Sequence, residues 1–304
     1  MIETETLLGP QSKSDNKFAT QARLLQSSYR AKKGWAIGYG PNKTSKTKYG
    51  NMIHNGESNG FNFLLPETFA YAKSRIKNKT KVETIDEYRL FCNMLSSMPM
   101  CFNLFHPLML LKDKNPTAIN SIFRELFPLL KIAYIDHIKL EFIPEPITNY
   151  TNDKSAFDAF VQYTDTSDSK GIIAIETKYV EPLGQNIGSN NTLKETVAIK
   201  SGLFTNDGIK YIAGDCNQAY RNLLLTEAYR MVNLYDQSHS IILSPSENNS
   251  SLSEINHVKQ NLKDVYKNKI AFYPLEDFVN TIREVIPETE YHWINEFQIR
   301  YLDL

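Results

Sequence analysis

Asp158 stands in the apolar run Ala156-Phe157-Asp158-Ala159-Phe160, and Glu176-Thr177-Lys178 closes the run Ile172-Ile173-Ala174-Ile175. A charge placed inside an apolar strand is costly unless something pairs with it. Glu176 and Lys178 are two apart, so on a strand their side chains share a face. A hairpin between the two segments sets Asp158 beside Glu176. Two carboxylates from neighbouring strands can hold a hard divalent cation such as magnesium. A lysine beside them can orient or activate water and stabilise charge on a phosphate. Alone, Glu-x-Lys is common on solvated strands, where it is two charges facing water. The four apolar residues before Glu176 argue instead for a buried central strand.

Asp, a spacer and Glu-x-Lys form the signature of the restriction-endonuclease-like, or PD-(D/E)XK, nuclease superfamily, which this chain resembles. Within it, the chain is similar to a family of bacterial restriction endonucleases. The matching segments are Ser96 to Phe105, Ala156 to Phe160, Ile175 to Tyr179 and the helix start Gln218-Ala219-Tyr220-Arg221-Asn222. One departure is that Phe157 stands where the signature often has proline. The resemblance implies a mixed sheet flanked by helices, with Asp158 and Glu176 as metal ligands and Lys178 as catalytic lysine. It also suggests an acid from the first core helix, for which Glu87, four residues after Glu83, is the candidate. Glu83 itself reads as a solvated helix position, and Glu141 as an acid near the strand layer that faces solvent. Gln218 and Arg221 are candidates to line the site, holding water or phosphate. Lys194 and Lys200 are candidate phosphate contacts, and Tyr179 alternates onto the opposite, core face.

Other chemistries find little support. The six histidines are scattered, and none has zinc-ligand spacing with Cys92, Cys101 or Cys216. Gly184-Gln185-Asn186-Ile187-Gly188 lacks the lysine and hydroxyl of a phosphate loop and reads as a flexible loop over the site. There is no Gly-x-Ser-x-Gly elbow. No organic cofactor is expected. The odd number of cysteines argues against a disulfide framework and for a reducing cytoplasm. No segment reads as a signal peptide or a membrane span. Net charge is zero, so total charge gives no support for a nucleic-acid partner. Local charge gives some: nine Lys or Arg and one acid lie between Lys13 and Lys48. Lys73, Arg75, Lys77, Lys79 and Lys81 form a second run. Such runs can neutralise phosphates or simply be solvated.

The elements that would position the candidate site follow from periodicity. Helices are expected over 15–33, capped by Asp15, then over 66–78, 84–97 and 117–131. Pro99 ends the third, and the apolar stretch 100–111 resumes the helical layer. Residues 38–62, rich in Gly, Asn, Thr and Lys, read as loops and turns. Strands are expected at 138–143, 156–163 and 171–179, forming a meander, and at 240–244 and 270–273. Helices are expected at 192–204, 216–233, 252–266 and 275–285, with a packed tail through Trp293, Phe297 and Tyr301.

The expected fold is α/β (α+β), with a basic N-terminal extension over 1–82 packed on a nuclease core over 83–304. The expected activity is a magnesium-dependent DNA endonuclease, with manganese able to substitute, in restriction or defence against foreign DNA. The competing readings are an inactive nucleic-acid-binding protein on the same fold, and a nuclease for RNA or branched DNA. A homodimer would serve two antiparallel strands. Trp35, Phe61, Phe63, Phe69, Met98 and Met100 are candidates for its contact.

Overall fold

The computed structural model describes residues 7–184, 192–214 and 217–304. The loop expected over 184–188 lies, from residue 185 onward, outside the described residues, as does Cys216. Helix α1 (Lys17–Lys32) starts at Asn16, whose side chain accepts the Ala19 N–H at 2.8 Å. Asp15, expected to cap this helix, instead takes Arg23 in an ion pair. The stretch expected to be only loop contains an antiparallel hairpin, β1 (Ile37–Tyr39) and β2 (Lys48–Ile53). Beneath α1 it buries Asn51, Met52 and Ile53. Arg30 is also buried and donates to the carbonyls of Gly50, Trp35 and Leu7. This member of the basic run therefore ties loops together and is not free for phosphate.

After the short α2 (Gly56–Asn59) comes α3 (Pro66–Lys77). The helix expected over 84–97 shrinks to α4 (Glu87–Cys92), capped by Asp86. Pro99 breaks nothing. It lies in the first turn of α5 (Ser97–Lys114), where a missing N–H removes no helical bond. α6 (Pro116–Leu126) completes the helical half.

The second half begins with three antiparallel strands, β3 (Ile132–Phe142), β4 (Phe157–Asp165) and β5 (Lys170–Thr177). Helices α7 (Thr192–Ser201), α8 (Asn206–Gly214) and α9 (Gln218–Val232) follow, and α8 was not expected from the sequence. Then come β6 (Gln237–Ser244), α10 (Asn249–Gln260), β7 (Ile270–Pro274), α11 (Leu275–Val285) and α12 (Tyr291–Tyr301). The sheet order is β3-β4-β5-β6-β7, with β6 and β7 parallel to β5. The expected meander and its extension by the fourth strand are both present.

Both faces of this sheet are covered. In β5, Ile173 and Ile175 join a cluster with residues of α1, α5, α6, α11 and α12, whereas Ile172 and Ala174 join a cluster with α7, α9 and α10. A strand buried on both sides reads as a continuous apolar run, which is what Ile172 to Ile175 is. Phe63 and Met100 belong to the first cluster, and Phe69 and Met98 pack against it. Trp35 stacks on Phe61 with ring centroids 4.8 Å apart. The aromatic and methionine surplus therefore mainly fills the protein's own core. Among the described residues no helix is long and apolar enough to cross a membrane.

Candidate active site

Strand register brings the acids together. Leu140 faces Ala159, and Phe142 faces Phe157, which puts Glu141 level with Asp158. Ala159 faces Ile175, and one step further sets Asp158 level with Glu176. Three neighbouring strands thus carry a carboxylate at one level, at the C-terminal ends of β3 and β5. Residues directly opposite on adjacent strands have Cβ atoms about 5 Å apart. Beyond Ile175 the ladder gives way to side chains. The Thr177 N–H donates to Asp158 Oδ2 at 2.7 Å, and Thr177 Oγ1 donates to the same oxygen at 2.8 Å.

Glu176 shares the face of Ile172 and Ala174, on which α9 packs. Two residues one turn apart on α9 grip it. Gln218 Nε2 donates to Oε1 at 2.6 Å, and Asn222 Nδ2 donates to Oε2 at 3.0 Å. Gln218 is itself fixed, because its Oε1 accepts the Gly184 N–H at 2.9 Å. Lys178 Nζ lies 2.7 Å from Glu176 Oε1. Asp158, Glu141, Glu176, Lys178, Gln218, Arg221 and Asn222 all line one cleft of about 470 Å³.

This crowding of acids shows in their protonation. Burial and then the charge of Glu176 push Asp158 up to about 7, against the pull of Lys178 and the Thr177 hydrogen bonds. Burial, then Asp158 and Glu176, push Glu141 well above the carboxylate range. Burial would lower Lys178, but Glu176 and Asp158 outweigh it and hold its pKa above the ordinary lysine value. Cys101, whose Sγ lies 3.4 Å from the Asp158 carbonyl oxygen, is kept a thiol by burial and by the Asp158 charge. Glu141 also has φ +48°, the left-handed region that a β-strand residue rarely adopts.

The sequence pattern of the PD-(D/E)XK nuclease superfamily matches residues 13–303, nearly the whole chain. The chain belongs to that superfamily. The five-stranded mixed sheet flanked by helices is the restriction-endonuclease-like fold expected of it. No curated protein and no solved structure matches the chain.

Superfamily nucleases generally use divalent metal ions, and the residues present here suit one. Among the described residues no group of three or more His, Cys, Asp or Glu side chains is arranged to hold a metal. The oxygen donors available to an ion here are the carboxylates of Asp158 and Glu176, with Glu141 nearby. Besides burial, the charge of Glu176 pushes Asp158 toward protonation, and the charges of Asp158 and Glu176 push Glu141 the same way. A hard cation would relieve that repulsion and takes carboxylate oxygens.

The structure does not bring every sequence candidate to the cleft. Glu87 is exposed in the first turn of α4 and lines a separate cavity with Asn42, Lys43 and Thr44. The reason is local: the helix starts only at Glu87, so this side chain stands at its open first turn, ahead of the buried Leu90 and Phe91. Glu83 precedes that helix and pairs with Arg75, so the two acids do not share a helical face. Glu141, expected to face solvent, is buried in the cleft wall. Lys194 is buried and pairs with Asp153 at 2.8 Å, and Lys200 is exposed outside the cleft. Tyr179 is fully buried on the core face, donating to the Tyr301 carbonyl at 3.1 Å. Sequence reasoning missed Asn222 and Thr177. The four-residue step from Gln218 to Asn222 was the available signal for the first.

Proposed function

We propose that this protein is a magnesium-dependent endonuclease that hydrolyses phosphodiester bonds in DNA. The observation that carries the reading is the row of acids across β3, β4 and β5 with a bonded lysine beside them. Asp158 and Glu176 would hold the ion, with Mg²⁺ the first choice and Mn²⁺ a substitute. When bound, such an ion polarises the phosphoryl oxygen and lowers the pKa of water. Thr177 fixes the plane of the Asp158 carboxylate, and Gln218 and Asn222 fix that of Glu176. Supporting bonds of this kind set the orientation and basicity of metal ligands. Lys178, held cationic against Glu176, can position the attacking water by hydrogen bonding and offset charge growing on the phosphate. Attack by water on phosphorus breaks one P–O bond, and the departing oxygen takes a proton.

Restriction or another defence against foreign DNA is the biology we attach to this activity, and a homodimer is its simplest assembly on duplex DNA. The test is a cleavage panel of duplex DNA, single-stranded DNA, branched DNA and RNA, with magnesium and with chelator. Magnesium-dependent cutting of DNA is expected. Cutting confined to RNA or to branched DNA would reassign the substrate, and binding without cutting under all conditions would leave an inactive binder.

A further inference from the structure

We infer that Arg221 is a substrate-binding cation of this cleft, its guanidinium taking a backbone phosphate of the nucleic acid beside the bond to be cut. The inference rests on the nuclease reading above and names a contact that reading does not use. Residues 218, 221 and 222 share one face of α9. The outer two grip both oxygens of Glu176, so Arg221 is held at the same wall and lines the cleft with it.

Of the other cations that line the cleft, Lys178 and Arg89 are matched to acids, and Lys154 is exposed with no ion pair among the described residues. Lys178 pairs with Glu176 at 2.7 Å, Arg89 with Glu181 at 2.7 Å, and Lys194 with Asp153 at 2.8 Å. Arg75 pairs with Glu83. Arg221, half-buried, makes no ion pair among the described residues, although five carboxylates line the same cleft. Its Nε is buried and has no hydrogen-bond partner. A buried donor left unpaired costs stability that folding alone does not repay. An arginine kept unpaired at an acidic wall therefore points to an anion that the protein does not itself supply.

The chemistry selects the anion. A guanidinium presents donors in a planar fork that fits two phosphate oxygens at once. The cleft's own acids repel a free anion, so the phosphate has to arrive on a polymer held elsewhere as well, or with a cation on Asp158 and Glu176. A nucleic-acid backbone meets the first condition by having successive phosphates.

The experiment compares the full chain with Arg221→Met and Arg221→Lys. Binding to fluorescent duplex and single-stranded DNA is titrated by anisotropy in chelator, so that the probes stay intact, over a range of salt. Arg221→Met is expected to bind roughly tenfold more weakly. The slope of log affinity against log salt should fall by about 0.9 on duplex and about 0.7 on single strands, the signature of one lost phosphate contact. Arg221→Lys should recover most of the slope but not all of the affinity. With magnesium, Arg221→Met should raise KM more than it lowers kcat. A wild-type protein that binds and cuts, with an Arg221→Met variant of equal affinity and slope, overturns the inference alone. If Arg221→Met does not fold, unchanged affinity and unchanged KM in Arg221→Lys overturn it, because a point charge does not reproduce the fork. A wild-type protein that neither binds nor cuts overturns the nuclease reading and this inference together.

Discussion

Replacing Asp158 by asparagine is expected to stabilise the metal-free protein while removing its metal site. The amide would keep an oxygen for the two Thr177 donors and lose the charge that burial and Glu176 oppose. Raising an aspartate from its ordinary 3.8 to about 7 is worth about 4 kcal/mol against the charged form, at about 1.4 kcal/mol per tenfold. Asp158 is only half-buried and opens onto the cleft, so solvent screening brings this to about 2 kcal/mol. The folded pKa lies above the unfolded one, so the folded state binds the proton more tightly. The penalty is absent below pH 3.8, grows as pH rises and is complete above about 7. Asp158→Asn should therefore melt about 4 °C higher than wild type at pH 8 in chelator. At pH 5 about a third of that advantage should remain. Saturating magnesium should raise the wild-type Tm and leave the variant unmoved. Thermal melts at the two pH values, with and without magnesium, measure all of this. A variant less stable than wild type at pH 8 in chelator would refute the reasoning, because it would mean that Lys178 and Thr177 more than satisfy the charge.

Lys178→Ala should lower the cleavage rate at least about a hundredfold at saturating magnesium, the usual cost of one donor to developing charge; an unchanged rate in a substrate-depletion assay would assign that role elsewhere. Thr177→Val removes the 2.8 Å hydroxyl bond to Asp158 and should weaken magnesium binding about tenfold, read by calorimetry. It should also push the Asp158 pKa higher still, since a donor to the charged form is lost. For assembly, light scattering at micromolar protein should give a dimer mass with duplex DNA, and a monomer mass with and without DNA would end that proposal.

The sequence made β4 and β5 legible because each carries a strong local pattern, an acid between phenylalanines and an unbroken apolar run. The α11 helix, Leu275–Val285, was legible to the residue because its apolar positions recur with the helical period. The β1–β2 hairpin was not, since Lys, Gly, Asn and Thr dominate it, and its burial comes from α1 packing over it. Glu141 escaped for an instructive reason. Alternation in β3 sends Ile138 and Leu140 inward, and a one-sided sheet would then put Glu141 in water. Here the second face is covered too, and the residue that alternates away from one core arrives at the wall of the cleft. Which acid it meets there depends on the β3–β4 register, set by how the chain returns through residues 143–156, and no local pattern encodes that. Glu87 failed by the opposite route. Its four-residue spacing from Glu83 suggested a helical face, but the helix begins only at Glu87, and Arg75 takes Glu83 away. The third acid of this site is thus supplied by a strand and not by a helix. It sits on a left-handed backbone at φ +48°, a conformation that a strand residue keeps only when its surroundings over-determine it. The Arg75 guanidinium bonded to the Glu141 carbonyl at 2.9 Å is one such constraint. It links Arg75 of α3 to the acid row, so that this residue of the N-terminal half shapes the cleft.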